Sequence, residues 1–256
     1  MRRRRSGAAS AEEGLKAAPA ERFEAGRAHR RTVPLEAHAE AAPGARRVDP
    51  LKILARQEKD RLPDLMRLRY GRMSRTPFTF LLGAAAITAS DLAAGARTDL
   101  RVELCGDAHL GNFRWYHAPN RDLVFDLNDF DETLPGPFEW DVKRLAASVM
   151  VAARANGFTR GQASTATRSA LRDYREFIAD CAERNPLDLH YHRLESQAAL
   201  DRLARHGKTH RKWKEAVLAQ AARRNSLLAF EKLTTVRKGR RRIVPDPPLI
   251  VRIDDD

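Results

Sequence analysis

The residues of this chain best equipped for chemistry lie in two short stretches, LCGDAHLGNF from Leu104 to Phe113 and LVFDLNDFDET from Leu123 to Thr133. Residues 103 to 141 hold nine Asp or Glu against Arg114 and Arg121. Clustered carboxylates repel one another unless a cation, hydrogen bonds or raised pKa values relieve them, and a metal site is one such relief. Phosphoryl transfer to a hydroxyl or amine requires a carboxylate that orients the acceptor and takes its proton, oxygen ligands for Mg2+, and a second carboxylate that holds the metal against the phosphates. Asp107, Asn112 and Asp129 fit those roles in that order, and Gly106 and Gly111 permit the tight backbone such a loop needs. The bland alternative is that these Asp and Asn residues only cap turns and helices.

Two strands are expected to position them. Leu100, Val102 and Leu104 alternate with Arg101 and Glu103 and predict a strand ending at Cys105-Gly106. Leu123-Val124-Phe125 predicts a second, after the turn-forming Ala118-Pro119-Asn120-Arg121. Paired with each other, these strands would bring the loop 107–112 and the loop 126–132 together. After Leu134-Pro135-Gly136-Pro137 a helix is expected to run to Asn156-Gly157, with Trp140, Val142, Leu145, Ala146, Val149 and Val151 as its apolar face.

The remaining segments read as mostly helical. Residues 1–45 contain Pro19, Pro34 and Pro43 and no sustained apolar face, which predicts a mostly flexible arm. Two short helices are expected between Asp49 and Tyr70. Another, largely buried, is expected from Pro77 to Ala94, with Gly95 as its stop. Helices over 159–184, 192–206 and 209–230 follow, and Leu233 to Ile243 reads as a strand pair turning at Arg237-Lys238-Gly239.

The two motif stretches resemble the phosphotransferase branch of the protein-kinase-like superfamily, to which aminoglycoside and choline kinases belong. That branch has a catalytic loop of the form HGDxHxxN, a strand ending in an Asp-Phe-Asp-like metal motif, and a helix with a further Asp. Here Asn112 lies five residues after Asp107, Asp129 seventeen after Asn112, and Asp141 twelve further on. The resemblance implies that Asp107 is the catalytic base, Asn112 and Asp129 are metal ligands, Asp126 is an alternative metal ligand, and Asp141 is a structural anchor for the catalytic loop. It implies Mg2+ and ATP as cofactors. Cys105 stands where those enzymes carry His. His109 is read as a hydrogen-bonding residue within the loop in preference to a ligand, because Mg2+ prefers oxygen. Glu139, Lys143 and Arg144 are read as an ion-paired helix face supporting the site, and Asp131 and Glu132 either extend the metal shell or are solvated.

From about Gly26 onward the chain more closely resembles the bacterial family catalogued as domain of unknown function 2252. The resemblance rests on Arg69 to Met73 (RYGRM), Pro77 to Ala85, Cys105 to Phe113, Asp126 to Thr133 and Gly136 to Leu145 (GPFEWDVKRL). Leu82 occupies a position where that family carries Arg. Members are similar to this chain in their first half and continue into a glycine-rich strand pair and a strand carrying Lys that looks like a nucleotide-binding lobe. The likeness therefore implies an N-terminal half, with ATP bound only where the missing lobe is supplied, for example by a complementing C-terminal half.

Two cysteines, Cys105 and Cys181, cannot build a disulfide framework, and Cys181 reads as a core residue. No run approaches the roughly 18 apolar residues of a membrane span, and Arg2 to Arg5 lead into no apolar segment, so a cytoplasmic protein without a membrane partner is expected. The net charge is +13, and residues 202–242 supply fourteen Lys or Arg against Glu215 and Glu231. Such a tract is read first as a solvated face or a phosphate surface and second as a nucleic-acid contact.

The expected architecture is α/β (α+β), predominantly helical, resembling the C-terminal catalytic lobe of the kinase-like fold. Its segments are an arm (1–45), a helical segment (46–98), the catalytic-lobe core with following helices (99–232) and the start of a truncated second lobe (233–256). The expected function is an ATP- and Mg2+-dependent phosphotransferase, or a catalytic-lobe fragment of one, acting on an unidentified hydroxyl-bearing acceptor. The alternatives are a non-enzymatic pseudokinase or basic nucleic-acid or phosphate-binding module, and a metal-dependent hydrolase.

Overall fold

The computed structural model of the chain describes residues 18–39, 47–118, 122–192, 200–201, 208–223, 230, 232–237, 239–248 and 250–251. Among these residues the protein is mixed α/β and mostly helical, with three two-stranded antiparallel sheets. The helix expected over 192–206 falls almost entirely outside them, as do Arg2 to Arg5. No helix among the described residues is long and apolar enough to cross a membrane. The chain forms two units that alternate along the sequence: Met1–Arg56, Ala84–Asp107 and Phe130–Arg184 make the first, and Gln57–Gly83, Ala108–Asp129 and Asn185–Asp256 the second.

In the first unit, α1 (Pro19–Thr32) has a proline at its start and the Ala18 N–H bonded to Glu21 at 3.0 Å, but buries no residue. Its sequence lacks an apolar stripe, and it carries a local ion pair between Arg27 and Glu24 at 3.4 Å. Helix α2 (Pro50–Glu58) starts after Asp49, whose carboxylate accepts the Leu51 N–H at 2.8 Å, and runs past the unit boundary at Arg56. Strand β1 (Arg101–Leu104) pairs antiparallel with β4 (Leu134–Pro137), in the register Arg101 to Pro137 and Leu104 to Leu134. Leu104 is 1% exposed and fills the space over Gly136, where an added Cβ would come within 2.4 Å of its Cδ1.

Helix α6 (Glu139–Ala155) follows and packs against α5 (Ala85–Ala93) and α7 (Arg160–Ala182). Its expected apolar residues, Trp140, Val142, Leu145, Ala146, Val149 and Val151, are only half-buried. The buried stripe is Arg144, Ser148 and Ala152 at i, i+4 and i+8, where small side chains allow close approach and the one large group is an ion-paired arginine. Helix α7 begins with a capping box, Thr159 with Gln162, and buries Ala163 completely. Cys181, read as core from the sequence, is half-buried because α7 exposes most of its last three turns.

In the second unit, α3 (Pro63–Met73) and α4 (Pro77–Leu82) pack together, with Thr76 capping α4 through the Thr79 N–H at 3.0 Å. The single helix expected from Pro77 to Ala94 is divided at Gly83 into α4 and α5. Gly83 ends α4 by donating its N–H to Phe80 O, and the Met73 sulfur lies 2.7 Å from where a Gly83 Cβ would stand. Glycine also lowers the helical preference there. Burial is correspondingly less than expected: Ala84 and Ile87 are buried, but Phe80 is 40% exposed.

The expected pairing of Leu100–Leu104 with Leu123–Phe125 does not occur. Strand β2 (Phe113–His117), a segment to which the sequence assigns no element, pairs with β3 (Leu123–Leu127) in the register Phe113 to Leu127 and His117 to Leu123. A short turn favours the strands immediately flanking it, and Trp115 and Phe125, directly opposite, stack with centroids 4.8 Å apart. Helix α8 (Pro186–Tyr191) and helix α9 (Lys208–Arg223) follow, the latter packing on β2. Strands β5 (Thr234–Arg237) and β6 (Arg240–Ile243) form the expected basic hairpin, with Gly239 at φ +73° in its turn.

Gly106 and Gly157 both have positive φ, +82° and +83°, but only Gly106 is crowded, a Cβ there falling 2.0 Å from Glu132 O. Gly157→Ala should therefore cost only the left-handed strain of about 1–2 kcal/mol. Gly106→Ala should cost about 1–3 kcal/mol beyond that through overpacking. Denaturant melts of the two variants test this; equal losses would show that the Gly106–Glu132 approach is not tight.

Candidate functional site

The loop after β1 begins where the Leu104 carbonyl accepts the Thr133 hydroxyl at 2.5 Å, and the same hydroxyl reaches Glu103 at 3.1 Å. The next two backbone N–H groups, of Cys105 and Gly106, both donate to the carboxylate of Asp141, at 2.7 and 3.1 Å. Asp141 lies in the first turn of α6, and three residues later on the same helical face Arg144 donates from Nε to Asp107 Oδ1 at 2.7 Å and from Nη2 at 2.5 Å. The side chain of Arg144 is 1% exposed and that of Asp107 15%, so this is a largely desolvated pair. The third side of the guanidinium donates to Thr88 Oγ1 at 2.6 Å. One turn of α6 thus fixes both the backbone before Asp107 and the carboxylate of Asp107 itself.

Burial pushes the Asp141 carboxyl above its ordinary value; the hydrogen bonds from Cys105 and Gly106 oppose this and the charge of Asp107 adds to it. Burial likewise raises the Tyr174 hydroxyl, with smaller contributions from Asp141 and Glu139. Glu139 and Lys143, expected to form an ion-paired face with Arg144, turn to backbone groups instead. Glu139 is 5% exposed and accepts the Thr98 N–H at 2.9 Å, and Lys143 Nζ donates to Ala96 O at 3.2 Å. Burial lowers the Lys143 ammonium pKa, offset in part by Glu139.

In the second unit, His109 is 6% exposed and caps a short 3-10 turn, Leu110–Asn112, its Nδ1 accepting the Gly111 N–H at 3.1 Å. Asn112 is 4% exposed; its N–H donates to His109 O at 2.9 Å and its carbonyl accepts the Asn128 N–H at 3.2 Å. That last bond continues the β2–β3 ladder by one step and draws Asn112 beside the segment that carries Asp129. Asp126 lies across from Arg114 and is exposed, with its carboxylate accepting the N–H of Leu127 at 2.8 Å. Asp129, Asp131 and Glu132 are exposed as well.

Asp107, Asp141 and Arg144 therefore belong to the first unit, and His109, Asn112, Asp126 and Asp129 to the second. Among the described residues no three His, Cys, Asp or Glu side chains gather as a metal site would need. The donors Asn112 and Asp129 are oxygen ligands suited to Mg2+, which binds through one or two carboxylates plus substrate phosphates and does not require an all-protein cage. The residues fit Mg2+ on those terms. Thr88, Thr98 and Thr133, which complete the hydrogen bonding around the loop, carry no local signal in the sequence, because each lies 29 or more residues from its partner.

A family model described as an uncharacterized protein conserved in bacteria, DUF2252, matches residues 61–256. No curated protein matches the chain, and no solved structure does.

Asp107→Asn should strand the Arg144 guanidinium and cost about 3–5 kcal/mol, the scale of breaking a buried pair from one side. The double change Asp107→Leu with Arg144→Met should recover much of that loss, and urea titrations of the three proteins measure it. The Asp141 carboxyl titrates higher folded than unfolded. Its contribution to stability is therefore complete below the ordinary carboxylate value and is lost as pH rises through the raised folded pKa. The stability of the wild type relative to Asp141→Asn should accordingly improve as pH falls through that window. A difference constant with pH, or of opposite slope, would show that the hydrogen bonds outweigh burial.

Proposed function

The chain belongs to the bacterial DUF2252 family, and from that premise we propose that it is a kinase-like phosphotransferase lobe acting on a hydroxyl-bearing acceptor with Mg2+ and ATP. The observation that carries this reading is the grip of α6 on the loop after β1: Asp141 takes two successive backbone N–H groups and Arg144 fixes the next carboxylate. Such a constellation holds a reactive group in one orientation before substrate arrives, which is where phosphoryl transfer draws most of its acceleration. Asp107 orients the acceptor hydroxyl and accepts its proton as that oxygen bonds to the γ-phosphorus and the bond to the ADP oxygen breaks. Asn112 and Asp129 would hold Mg2+, with Asp126 as the alternative carboxylate; bound there, the ion neutralises charge on the transferring phosphates. His109 keeps the turn that carries Asn112 in shape.

A second reading draws on the same pair. Because Arg144 is 1% exposed, Asp107 serves first as its counter-charge, and a carboxylate with that duty suits a non-enzymatic phosphate- or nucleic-acid-binding module as well. The basic hairpin supports it: Arg237, Arg240 and Arg241 are exposed, and Arg241 lies 4.2 Å from the Phe230 ring centroid.

Phosphorus NMR of the chain together with a complementing C-terminal half that supplies the nucleotide-binding lobe, ATP, Mg2+ and a panel of sugars, polyols and amino alcohols distinguishes these. A phosphorylated acceptor and ADP are expected, with Asp107→Asn lowering the rate by about 10²–10⁴-fold. Asp129→Asn should instead raise the Mg2+ concentration needed for half-maximal turnover, its exposed side chain leaving the fold intact as circular dichroism would report. Free phosphate with no phosphorylated acceptor would indicate a hydrolase. Nucleic-acid affinity that falls steeply with salt, without Mg2+-dependent turnover, would indicate the binding module.

A further inference from the structure

The second unit contains a groove of about 800 Å³ between α3 and α4 that none of the chemistry above uses. Its floor is apolar: Leu65, Met66 and Leu82 line it half-buried, and Leu62 and Leu68 line it at 67% and 40% exposure. Its border is cationic, with Arg61, Arg69, Arg72 and Arg75 against the single carboxylate of Asp60. The sequence generates this division. Leu62, Leu65, Met66, Arg69 and Met73 recur at helical spacing on one face of α3, and Arg72 and Arg75 follow at its C-terminal end.

One of these arginines is tied into the structure. Arg69 donates to the Gly83 carbonyl at 2.7 Å, and both residues line the groove. Arg72 and Arg75 are exposed, and among the described residues no carboxylate lies within ion-pair distance of either. Behind the groove Tyr70 donates its hydroxyl to Glu58, and Met73 is 4% exposed against Gly83.

We propose that this groove binds a single-chain amphiphilic anion, its hydrocarbon tail on the Leu65, Met66 and Leu82 floor and its phosphate or carboxylate head between Arg72 and Arg75. The volume lies in the range of small-molecule pockets, and the lining pairs an apolar body with a few convergent polar groups as such pockets do. Arginine forks match both phosphate and carboxylate oxygens, so the head is defined here by charge and geometry. The site lies wholly within one unit and stands independently of the phosphotransfer reading.

Titration calorimetry of the full chain with dodecyl phosphate and with dodecanoate, each below its micelle concentration, tests this and tells the two head groups apart. Saturable one-to-one binding of at least one is expected, with dodecyl maltoside and inorganic phosphate each weaker by about tenfold or more because each lacks one half of the match. The Arg72→Gln, Arg75→Gln double variant, at exposed positions that leave the fold unchanged, should weaken the anion by about tenfold or more and leave dodecyl maltoside unaffected. Met66→Asp, with its fold checked by circular dichroism, should weaken the anion as well. Equal affinity for the neutral and anionic amphiphiles, unchanged affinity in the arginine variant, or binding only to phosphatidylglycerol vesicles with none to the monomeric probes would overturn the proposal.

Discussion

A buried arginine needs an anion, and much of the first unit is arranged around meeting that need. Arg144 is 1% exposed on the face of α6 that packs inward, so its charge has to be met by Asp107 and its remaining donors by Thr88. For Asp107 to arrive there, β1 has to end at Leu104 and the next two residues have to bend back along α6. Asp141 fixes that bend by accepting both of their N–H groups, and Gly106 makes it possible by adopting φ +82° against the Glu132 backbone. A larger residue at 106 or a neutral one at 144 would disturb the same few ångströms of chain.

The sequence posed a question about the acidic stretch from 103 to 141: what relieves nine carboxylates at close quarters. Much of the answer is local hydrogen bonding. Asp141 accepts backbone N–H groups, Glu139 accepts that of Thr98, Asp126 that of Leu127, and Glu103 accepts the Thr133 hydroxyl, while Asp107 takes the arginine. Asp141 is also the carboxyl whose burial raises its pKa. A dense run of acids in a sequence thus does not by itself call for a cation, because a strand end and a helix start bring enough donors to satisfy most of them.

What could be read in advance followed period and punctuation. The helices after Asp49 and Pro137 and over 159–184, and the hairpin around Gly239, were visible because caps, prolines, glycines and apolar spacing agreed within each segment. The partner of β1 was not, because LPGP from Leu134 to Pro137 looks like a breaker and becomes a strand only through pairing with residues about 30 or more positions earlier, at a sheet edge that tolerates proline. The break at Gly83 was hidden for a related reason: the helical pattern continues through it, and only the Met73 sulfur shows why the chain stops there. In the candidate site, the residue types and spacings named Asp107, Asn112 and Asp129, and the resemblance to phosphotransferases named Asp141. The threonines and the Arg144–Asp107 pair were decided by distant parts of the chain.

The alternation of the two units has a consequence for how the protein can be handled and how it forms. The backbone passes from one unit to the other after Arg56, Gly83, Asp107, Asp129 and Arg184, so no single cleavage releases either as an intact piece. A nick in any of the three inner connections would leave fragments that each hold parts of both, and a nick after Arg56 or Arg184 would leave one fragment from a single unit beside one that mixes the two. Neither unit can complete its core during synthesis until its last segment emerges, and contacts so distant along the chain make for slow folding with a long interval of exposed apolar surface. Dissecting this protein into separately expressed halves is consequently the wrong strategy, whereas a gene with its segments reordered so that those of one unit follow one another would be the informative one.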